Sequence, residues 1–186
     1  QHIARLLWQR QAAYRERYGT EVRLVGVCRS RSGLRCAQGL DAGDVLDTEF
    51  EPDLSGEAFL QGLQADVLIE AGPSDFKTGG MGLAYMRHAL HAGMHVIAVS
   101  KGALALHGQE LLQAAKTHGV QVWVSGATAA ALPTVDFVQR QLAGCEVLAI
   151  EGIFTGTANF ILNQMMHEGM GFDAALRQAQ EAGIAE

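Results

Sequence analysis

Short apolar segments with almost no polar face alternate with segments of helical periodicity, and this alternation limits the possible folds more than any other feature of the sequence. The apolar segments predict strands over residues 21–28, 65–72, 95–100 and 120–126. The helical patterns predict helices over residues 3–18, 55–64, 82–93 and 107–118. Strands separated by helices form βαβ units with a parallel sheet, and wholly apolar strands fit a sheet that is covered on both faces. We therefore predict an α/β fold built on a Rossmann-like, doubly wound parallel sheet.

The sequence pattern changes near residue 130. Residues 145–169 begin as a strand and continue as a helix, and residues 172–183 predict one more helix. We place a domain boundary at this change. The first predicted domain, residues 1–130, is a dinucleotide-binding domain, and residues 131–186 are the start of an α+β domain for substrate binding and dimerisation.

The helix predicted over residues 3–18 has the position of the helix that normally follows a glycine-rich phosphate loop in a dinucleotide-binding fold. Residues 21–28 would then be the second strand of the sheet. We expect the first strand and the glycine loop, which form the main wall of a pyrophosphate site, to lie outside this sequence.

Charge and composition argue against several classes of protein. The formal net charge of −6 argues against a nucleic-acid binder, which needs a basic face. No apolar run is long enough for a transmembrane helix, so no membrane partner is expected, and 48% hydrophobic residues can supply a buried core. Three cysteines without a C-x-x-C motif favour reduced thiols and a cytoplasmic location. The seven histidines show no metal-binding spacing.

Polar or glycine-containing residues follow three of the predicted strands. They are Arg29 after the first, Gly72-Pro73-Ser74 after the second and Ser100-Lys101 after the third. Ligands of parallel α/β sheets bind at the carboxyl ends of the strands, so we expect these residues to line a binding site. Lys101 is the most informative of them because it is one of only three lysines and directly follows a strand of apolar residues.

The residues after the first predicted strand suggest the cofactor. A site that prefers NAD usually has a carboxylate there to bond the ribose 2′-hydroxyl. This chain has Arg29, Ser30 and Arg31 instead. Two guanidinium groups and a hydroxyl suit a 2′-phosphate, which predicts NADP, although NAD stays possible.

Three longer segments, in the same order, are similar to motifs of the homoserine dehydrogenase family. "VLIEAGPSDFKTGGMGLAYMRHALHAGMHVIAVSKGALAL" resembles its strand, glycine- and serine-rich loop, helix, strand and Asn-Lys-Gly motif. "EGIFTGTANFILNQM" is similar to its Gly-Ile-x-x-Gly-Thr-x-Asn segment. "FDAALRQAQEAGIAE" resembles its last helix and the Ala-Glu that follows. The resemblance runs along the whole chain and is strongest from residue 65 onward.

The resemblance implies a cytoplasmic, homodimeric, NADP-linked oxidoreductase that interconverts L-homoserine and L-aspartate 4-semialdehyde in the biosynthesis of threonine, methionine and isoleucine. It implies that Lys101 is catalytic and bonds the reacting oxygen of the substrate. Residues expected to contact the cofactor are Arg29, Ser30, Arg31, Gly72, Pro73, Ser74, Ser100, Lys101 and Gly183. Residues expected to contact the substrate are Gly156, Thr157 and Glu186, with Thr157 also a natural N-cap for the following helix.

The chain departs from the family pattern at three places. Ser100 replaces the usual Asn before the lysine. Ser125 replaces a glutamate that helps to hold a monovalent cation, whose other ligands would be the backbone carbonyls of Thr128, Ala130 and Leu132, so this cation site is doubtful. The second lysine of the family, the usual candidate for proton transfer, would follow Glu186, so we expect residues 1–186 alone to be inactive.

Two other functions agree with the same sequence. One is a non-catalytic remnant of the fold that acts as a binding or oligomerisation module. The other is a different nicotinamide-dependent dehydrogenase with the same two-domain plan. An Asp-x-x-x-Lys pattern shortly after residue 186 would favour the homoserine enzyme, because the proton relay needs that amine.

Overall fold

A computed structural model describes residues 2–41, 45, 48–128 and 132–185. The chain divides into two compact units, residues 1–141 and residues 142–186, and each is described by itself. The predicted boundary at residue 130 falls outside the described residues and stays a prediction. Among the described residues, no helix has both the length and the apolar character needed to cross a membrane.

The first unit opens with two short helices, α1 (His2–Gln9) and α2 (Gln11–Tyr18), where the sequence predicts one continuous helix. The interruption is at Arg10, whose backbone angles of φ −103° and ψ 5° lie outside the α-helical range. Trp8 of α1 donates its indole N–H to the carbonyl of Leu40 at 3.1 Å. This bond attaches the first helix to a small apolar cluster.

Three short strands form an antiparallel sheet in the order β1 (Gly26–Cys28), β2 (Ser32–Arg35) and β3 (Glu51–Pro52). The prediction of a parallel strand over residues 21–28 is therefore wrong: only the last three of these residues pair, and they pair antiparallel to β2, with Val27 opposite Leu34. The turn at residues 29–31 lets the chain fold back at once, so a local hairpin determines this pairing. A short helix, α3 (Gly56–Leu60), follows the sheet.

The second sheet is parallel, as predicted. Its strands lie in the order β4 (Val67–Glu70), β5 (His95–Ala98) and β6 (Val122–Trp123), and α4 (Gly80–His91) and α5 (Gly102–His118) connect them. Ile97 lies beside Ile69 on one side and beside Trp123 on the other. Parallel pairing brings the carboxyl ends of β4 and β5 to one edge, where the binding site was predicted.

Helix α5 begins at Gly102 rather than at residue 107, so it starts directly after Lys101. The helical pattern of the sequence begins at His107, and the backbone leaves helical angles at this residue (φ −131°, ψ 17°). The residues of α5 before His107 therefore form a short helical segment that is separated from the rest of the helix by a kink at His107.

The main hydrophobic core lies between α4, β5 and α5. Met86, Leu90, Val96 and Leu111 are fully buried there. Alanines on the same elements let the helices and the strand approach closely, and they include Ala89, Ala98, Ala103 and Ala115. This core fixes α4 and α5, whose first residues lie near the carboxyl ends of β4 and β5.

Two further helices, α6 (Ser125–Thr128) and α7 (Thr134–Gln141), belong to the first unit. The second unit contains α8 (Gly156–His167) and α9 (Phe172–Glu181). These two helices pack together around Ile161, Ala175 and Ala179. Both helices of the second unit were predicted.

The strand predicted at the start of the second unit is not formed. The described residues 146–154 have no strand pairing and leave large apolar side chains exposed, namely Val147, Leu148, Ile150, Ile153 and Phe154. A strand needs a neighbour that completes its hydrogen-bond ladder, and none is present among the described residues of this unit.

Candidate functional site

The carboxyl ends of β4 and β5 lie side by side and carry the residues of the predicted site. Glu70, the last residue of β4, is paired with Ala98 of β5. The amide N–H of Val99 extends this ladder and donates to the carbonyl of Glu70 at 2.8 Å. The segments that follow, residues 71–79 and residues 99–101, therefore leave the sheet next to each other.

Glu70 joins these two segments through its side chain. Its Oε1 accepts the amide N–H of Gly72 at 2.8 Å, and its Oε2 accepts the hydroxyl of Ser100. Glu70 is not among the site residues predicted from the sequence. The available signal was an acidic residue at the end of an apolar strand, where an unpaired carboxylate would be costly to bury.

Ser74 makes a second connection between the segments. Its Oγ accepts the backbone N–H of Lys101 at 3.1 Å. The structure thus brings together Gly72, Ser74, Ser100 and Lys101, with Pro73 in the same loop. This agrees with the prediction that these residues share one edge of the parallel sheet, while the cofactor contacts assigned to them stay predictions. The same prediction is wrong for Arg29, which follows β1 of the separate antiparallel sheet.

Lys101 occupies the N-cap position of the 17-residue helix α5, and its side chain is exposed. A lysine side chain has no acceptor for the free N–H groups of a helix, so it cannot cap them. Its positive charge also gains nothing from the positive end of the helix dipole. Helix capping and the helix dipole therefore do not explain a lysine at this position.

Asp75 shapes the loop between β4 and α4. Its carboxylate accepts the N–H of Lys77 at 2.7 Å, the N–H of Thr78 at 3.1 Å and the hydroxyl of Thr78 at 2.8 Å. These bonds, first of all the one from the Lys77 amide, hold the pKa of Asp75 below its ordinary value of 3.8. Asp75 was not predicted as a site residue, and its role is to order the loop that reaches Lys101.

The predicted 2′-phosphate residues lie in the turn between β1 and β2. Arg29, Ser30 and Arg31 are all exposed. The guanidinium of Arg29 lies over the ring of Phe50, with its Cζ 3.9 Å from the ring centroid. This cation–π contact gives Arg29 a structural partner and leaves the charge near the surface.

Tyr85 of α4 connects the end of β1 with the start of α3. Its hydroxyl oxygen lies 3.2 Å from the Sγ of Cys28 and accepts the N–H of Gly56 at 2.7 Å. Burial, followed by the hydrogen bond with Cys28, raises the pKa of Tyr85 to about 12. Tyr85 is therefore neutral near pH 7. It serves as a packing and hydrogen-bonding residue next to the turn at residues 29–31.

In the second unit, two predicted segments lie close together. The hydroxyl of Thr157 donates to the carbonyl of Ile184 at 2.7 Å, which places residues 156–157 beside the turn at Gly183. The prediction that Thr157 is the N-cap of α8 is wrong. Thr155 is the N-cap, because its Oγ1 accepts the N–H of Ala158 at 3.0 Å. Glu186 lies outside the described residues.

The predicted cation site is only partly described. Ser125, which replaces the family glutamate, donates its hydroxyl to the carboxylate of Asp136. Thr128 ends α6 and Leu132 is exposed, whereas Ala130 lies outside the described residues. Within the described ranges, no group of three or more His, Cys, Asp and Glu side chains is placed to hold a metal ion. The cation site stays a prediction.

Two family models and several relatives match this chain. The model "Homoserine dehydrogenase, NAD binding domain" matches residues 1–125, and the model "Homoserine dehydrogenase" matches residues 133–186. The homoserine dehydrogenase of Methanocaldococcus jannaschii is 31% identical in an alignment of 195 positions that covers 99% of this chain and 58% of that protein. The NAD(+)-dependent homoserine dehydrogenase of Pseudomonas canavaninivorans is 31% identical in an alignment of 196 positions that covers 99% of this chain and 55% of that protein.

The fold agrees with these matches. A crystal structure from Archaeoglobus fulgidus, assigned as a homoserine dehydrogenase, is 29% identical and superposes with a TM-score of 0.76. The superposition covers 99% of this chain and 57% of that one. The chain therefore spans less than two thirds of the length of these relatives. Its two matched family models, its parallel sheet and its similarity to relatives along nearly all of its length show that it belongs to the homoserine dehydrogenase family.

Proposed function

We propose that the complete protein interconverts L-homoserine and L-aspartate 4-semialdehyde, using a nicotinamide cofactor bound at the carboxyl edge of β4 and β5. The observation that carries this proposal is the junction of Gly72, Ser74 and Lys101 at that edge, in a chain of this family. The biosynthetic role, in making threonine, methionine and isoleucine, and the cytoplasmic location are part of the same proposal.

The residues at this edge fit a dinucleotide. Gly72 has no side chain to obstruct a ligand and Ser74 offers a hydroxyl, while Lys101 beside them carries the ammonium group that we assign to the substrate. The exposed turn with Arg29 and Arg31 has the charge and the hydrogen-bond donors that suit a 2′-phosphate, so we propose NADP rather than NAD. When bound, the nicotinamide ring would accept or return the hydride of the reaction.

The chain's own residues would bind the substrate and handle its proton. The alcohol must lose a proton as the hydride leaves, so a polar group must contact the reacting oxygen. We assign this contact to Lys101, because its exposed side chain begins at the strand edge and its backbone N–H is held by Ser74. We assign further substrate contacts to Gly156 and Thr157, and to Glu186.

We also propose that the complete protein is a homodimer. The second unit exposes many large apolar side chains on residues 147–154 and on α8, among them Leu148, Ile153 and Met166, which are 86%, 78% and 76% exposed. Patches of this kind are usually covered by another protein surface.

The proposed reaction is tested with the purified complete protein, L-homoserine and either oxidised cofactor. The expected result is formation of reduced cofactor that depends on L-homoserine. In the reverse direction, with L-aspartate 4-semialdehyde and reduced cofactor, the reduced cofactor should be consumed. A matched assay with L-serine, which is one methylene shorter, measures how specific the site is. Failure to turn over in either direction would contradict the proposal and favour a non-catalytic binding module.

A further inference from the structure

Glu70 and Ser100 are the two buried polar or charged residues among those that the structure describes, at 5% and 6% exposed. They are 30 residues apart in sequence, and the hydroxyl of Ser100 donates to the carboxylate of Glu70. Burying a carboxylate is costly unless hydrogen bonds compensate it. A buried pair in this position therefore needs an explanation beyond packing.

The surroundings of Glu70 are arranged for a carboxylate. The N–H of Gly72 donates to Oε1 at 2.8 Å, and Ser100 occupies Oε2. A Cβ atom on Gly82 would lie 3.0 Å from Oε1 and 3.1 Å from Cδ. The carboxylate thus lies against the first turn of α4, where the helix dipole favours negative charge, and glycine at position 82 leaves room for it.

Three hydrogen bonds and two short chain segments form a closed ring. Glu70 binds Gly72 and Ser100, Gly72 leads along the chain to Ser74, and Ser74 accepts the N–H of Lys101, the residue after Ser100. The ring holds the main chain at Ser100 and at the amide of Lys101. Of these three hydrogen bonds, only the one from the Lys101 amide to Ser74 does not involve the carboxylate of Glu70, so it alone would remain without that carboxylate.

We propose that Glu70 is a positioning residue, which fixes the Gly72 loop and the Ser100–Lys101 segment against each other and thereby sets the position of Lys101. The kinetic part of this inference rests on the proposed function, in which Lys101 contacts the reacting oxygen. The structural part concerns only the chain's own hydrogen bonds. Ser100 is a partner in this arrangement, whereas the family pattern has Asn at its position.

The structural part is tested by amide hydrogen exchange on the complete protein, without cofactor or substrate. In Glu70→Gln, exchange at residues 71–75 and 99–102 should rise about 10- to 100-fold, as expected when a charge-assisted hydrogen bond is weakened. Exchange in the buried part of α4 should stay unchanged. Glu57→Gln, on the exposed surface of α3, removes the same charge and should change neither loop.

The kinetic part is tested by kcat and KM in the same variants. Glu70→Gln should lower kcat about 10- to 100-fold with little change in the KM for cofactor, because a displaced group costs rate more than binding. In a Lys101→Ala background, Glu70→Gln should have almost no further effect on kcat, since it acts through Lys101. A merely structural role would lower the melting temperature while kcat stayed constant.

Several results would overturn the inference. Unchanged exchange in both loops would show that Glu70 does not hold them, whether or not the protein oxidises L-homoserine. Additive losses in the double variant would show that Glu70 acts independently of Lys101. If Glu70→Gln does not fold, Ser100→Ala replaces it. This variant keeps the Gly72 bond, so faster exchange should be confined to residues 99–102, and unchanged exchange there would also contradict the inference.

Discussion

The backbone of Gly102 packs directly on the backbone of Asp75: a Cβ atom on Gly102 would lie 2.2 Å from the carbonyl oxygen of Asp75. No side chain fits in this space, and the obstructing atoms are backbone atoms that cannot rotate away. The contact holds the first turn of α5 against the loop after β4. Because Gly102 directly follows Lys101, the same contact limits where Lys101 can lie.

The first prediction is that Gly102→Ala destabilises the protein although alanine is the better helix former. Overpacking of a close backbone contact costs about 1–3 kcal/mol, which exceeds the helix-propensity gain of about 1 kcal/mol. Urea unfolding measures the change. Gly108→Ala is the matched control on the same helix, since nothing lies within 4 Å of its added Cβ, and it should be neutral or stabilising. Equal stability changes in the two variants would contradict the packing argument.

A second prediction concerns the acid sensitivity of the Asp75 loop. The folded-state pKa of Asp75 is lowered, so the charged form stabilises the fold at pH values above 3.8. That stability is lost as the pH falls through the lower folded-state pKa. The stability difference between wild type and Asp75→Asn should therefore be constant near neutral pH and shrink in strong acid. A pH-independent difference, measured by urea unfolding, would show that the carboxylate charge does not matter.

Cofactor choice gives a third prediction. Arg31→Ala should lower kcat/KM for NADP about 10- to 100-fold, the usual effect of losing one hydrogen-bonded charge partner, and leave NAD almost unaffected. Arg29→Ala should have a similar kinetic effect and also lose its contact with Phe50, worth about 0.5–1 kcal/mol of stability. Arg15→Ala, in an exposed pair with Glu21, is the control for charge. Better kinetics with NAD than with NADP in the wild type would contradict this assignment.

The fourth prediction is a dimer in solution. Light scattering of the complete protein at micromolar concentration should give twice the monomer mass. Ile153→Asp would place a charge in the exposed apolar segment and should shift the mass toward the monomer, because a desolvated, unpaired charge opposes association. Glu151→Asp, in the same exposed segment, keeps the charge and should have no effect. A monomeric wild type would refute the proposal.

The sequence was sufficient to predict the parallel sheet and the edge that carries the candidate site. β4 and β5 are mostly apolar, and Gly72 and Lys101 follow them within three residues. Both signals are local, so they could be read without knowing any tertiary contact. The family resemblance was also confirmed, because it depends on long motifs in order rather than on single residues.

Other features depend on contacts that a sequence does not display. Glu70 has its main side-chain partner 30 positions away, and its role became visible only in the folded chain. The pairing of β1 with β2 was missed because residues 32–35 have no alternating pattern. Residues 146–154 are apolar like a strand, but a strand also requires a neighbour. Thr155 and Thr157 both suit an N-cap, and only the bond to Ala158 distinguishes them.

The most direct measurement is the steady-state oxidation of L-homoserine by the complete wild-type protein and by Lys101→Ala, with Lys116→Ala as the control on the far part of α5. The expected loss for Lys101→Ala is about 10²–10⁴-fold in kcat, the scale of one acid–base or electrostatic group, with NADP binding nearly unchanged. Lys101→Arg should rescue little, because a guanidinium does not exchange its proton near neutral pH. Near-normal kcat in Lys101→Ala, with only a weaker dissociation constant for NADP, would show that Lys101 anchors the cofactor and would contradict the proposed mechanism.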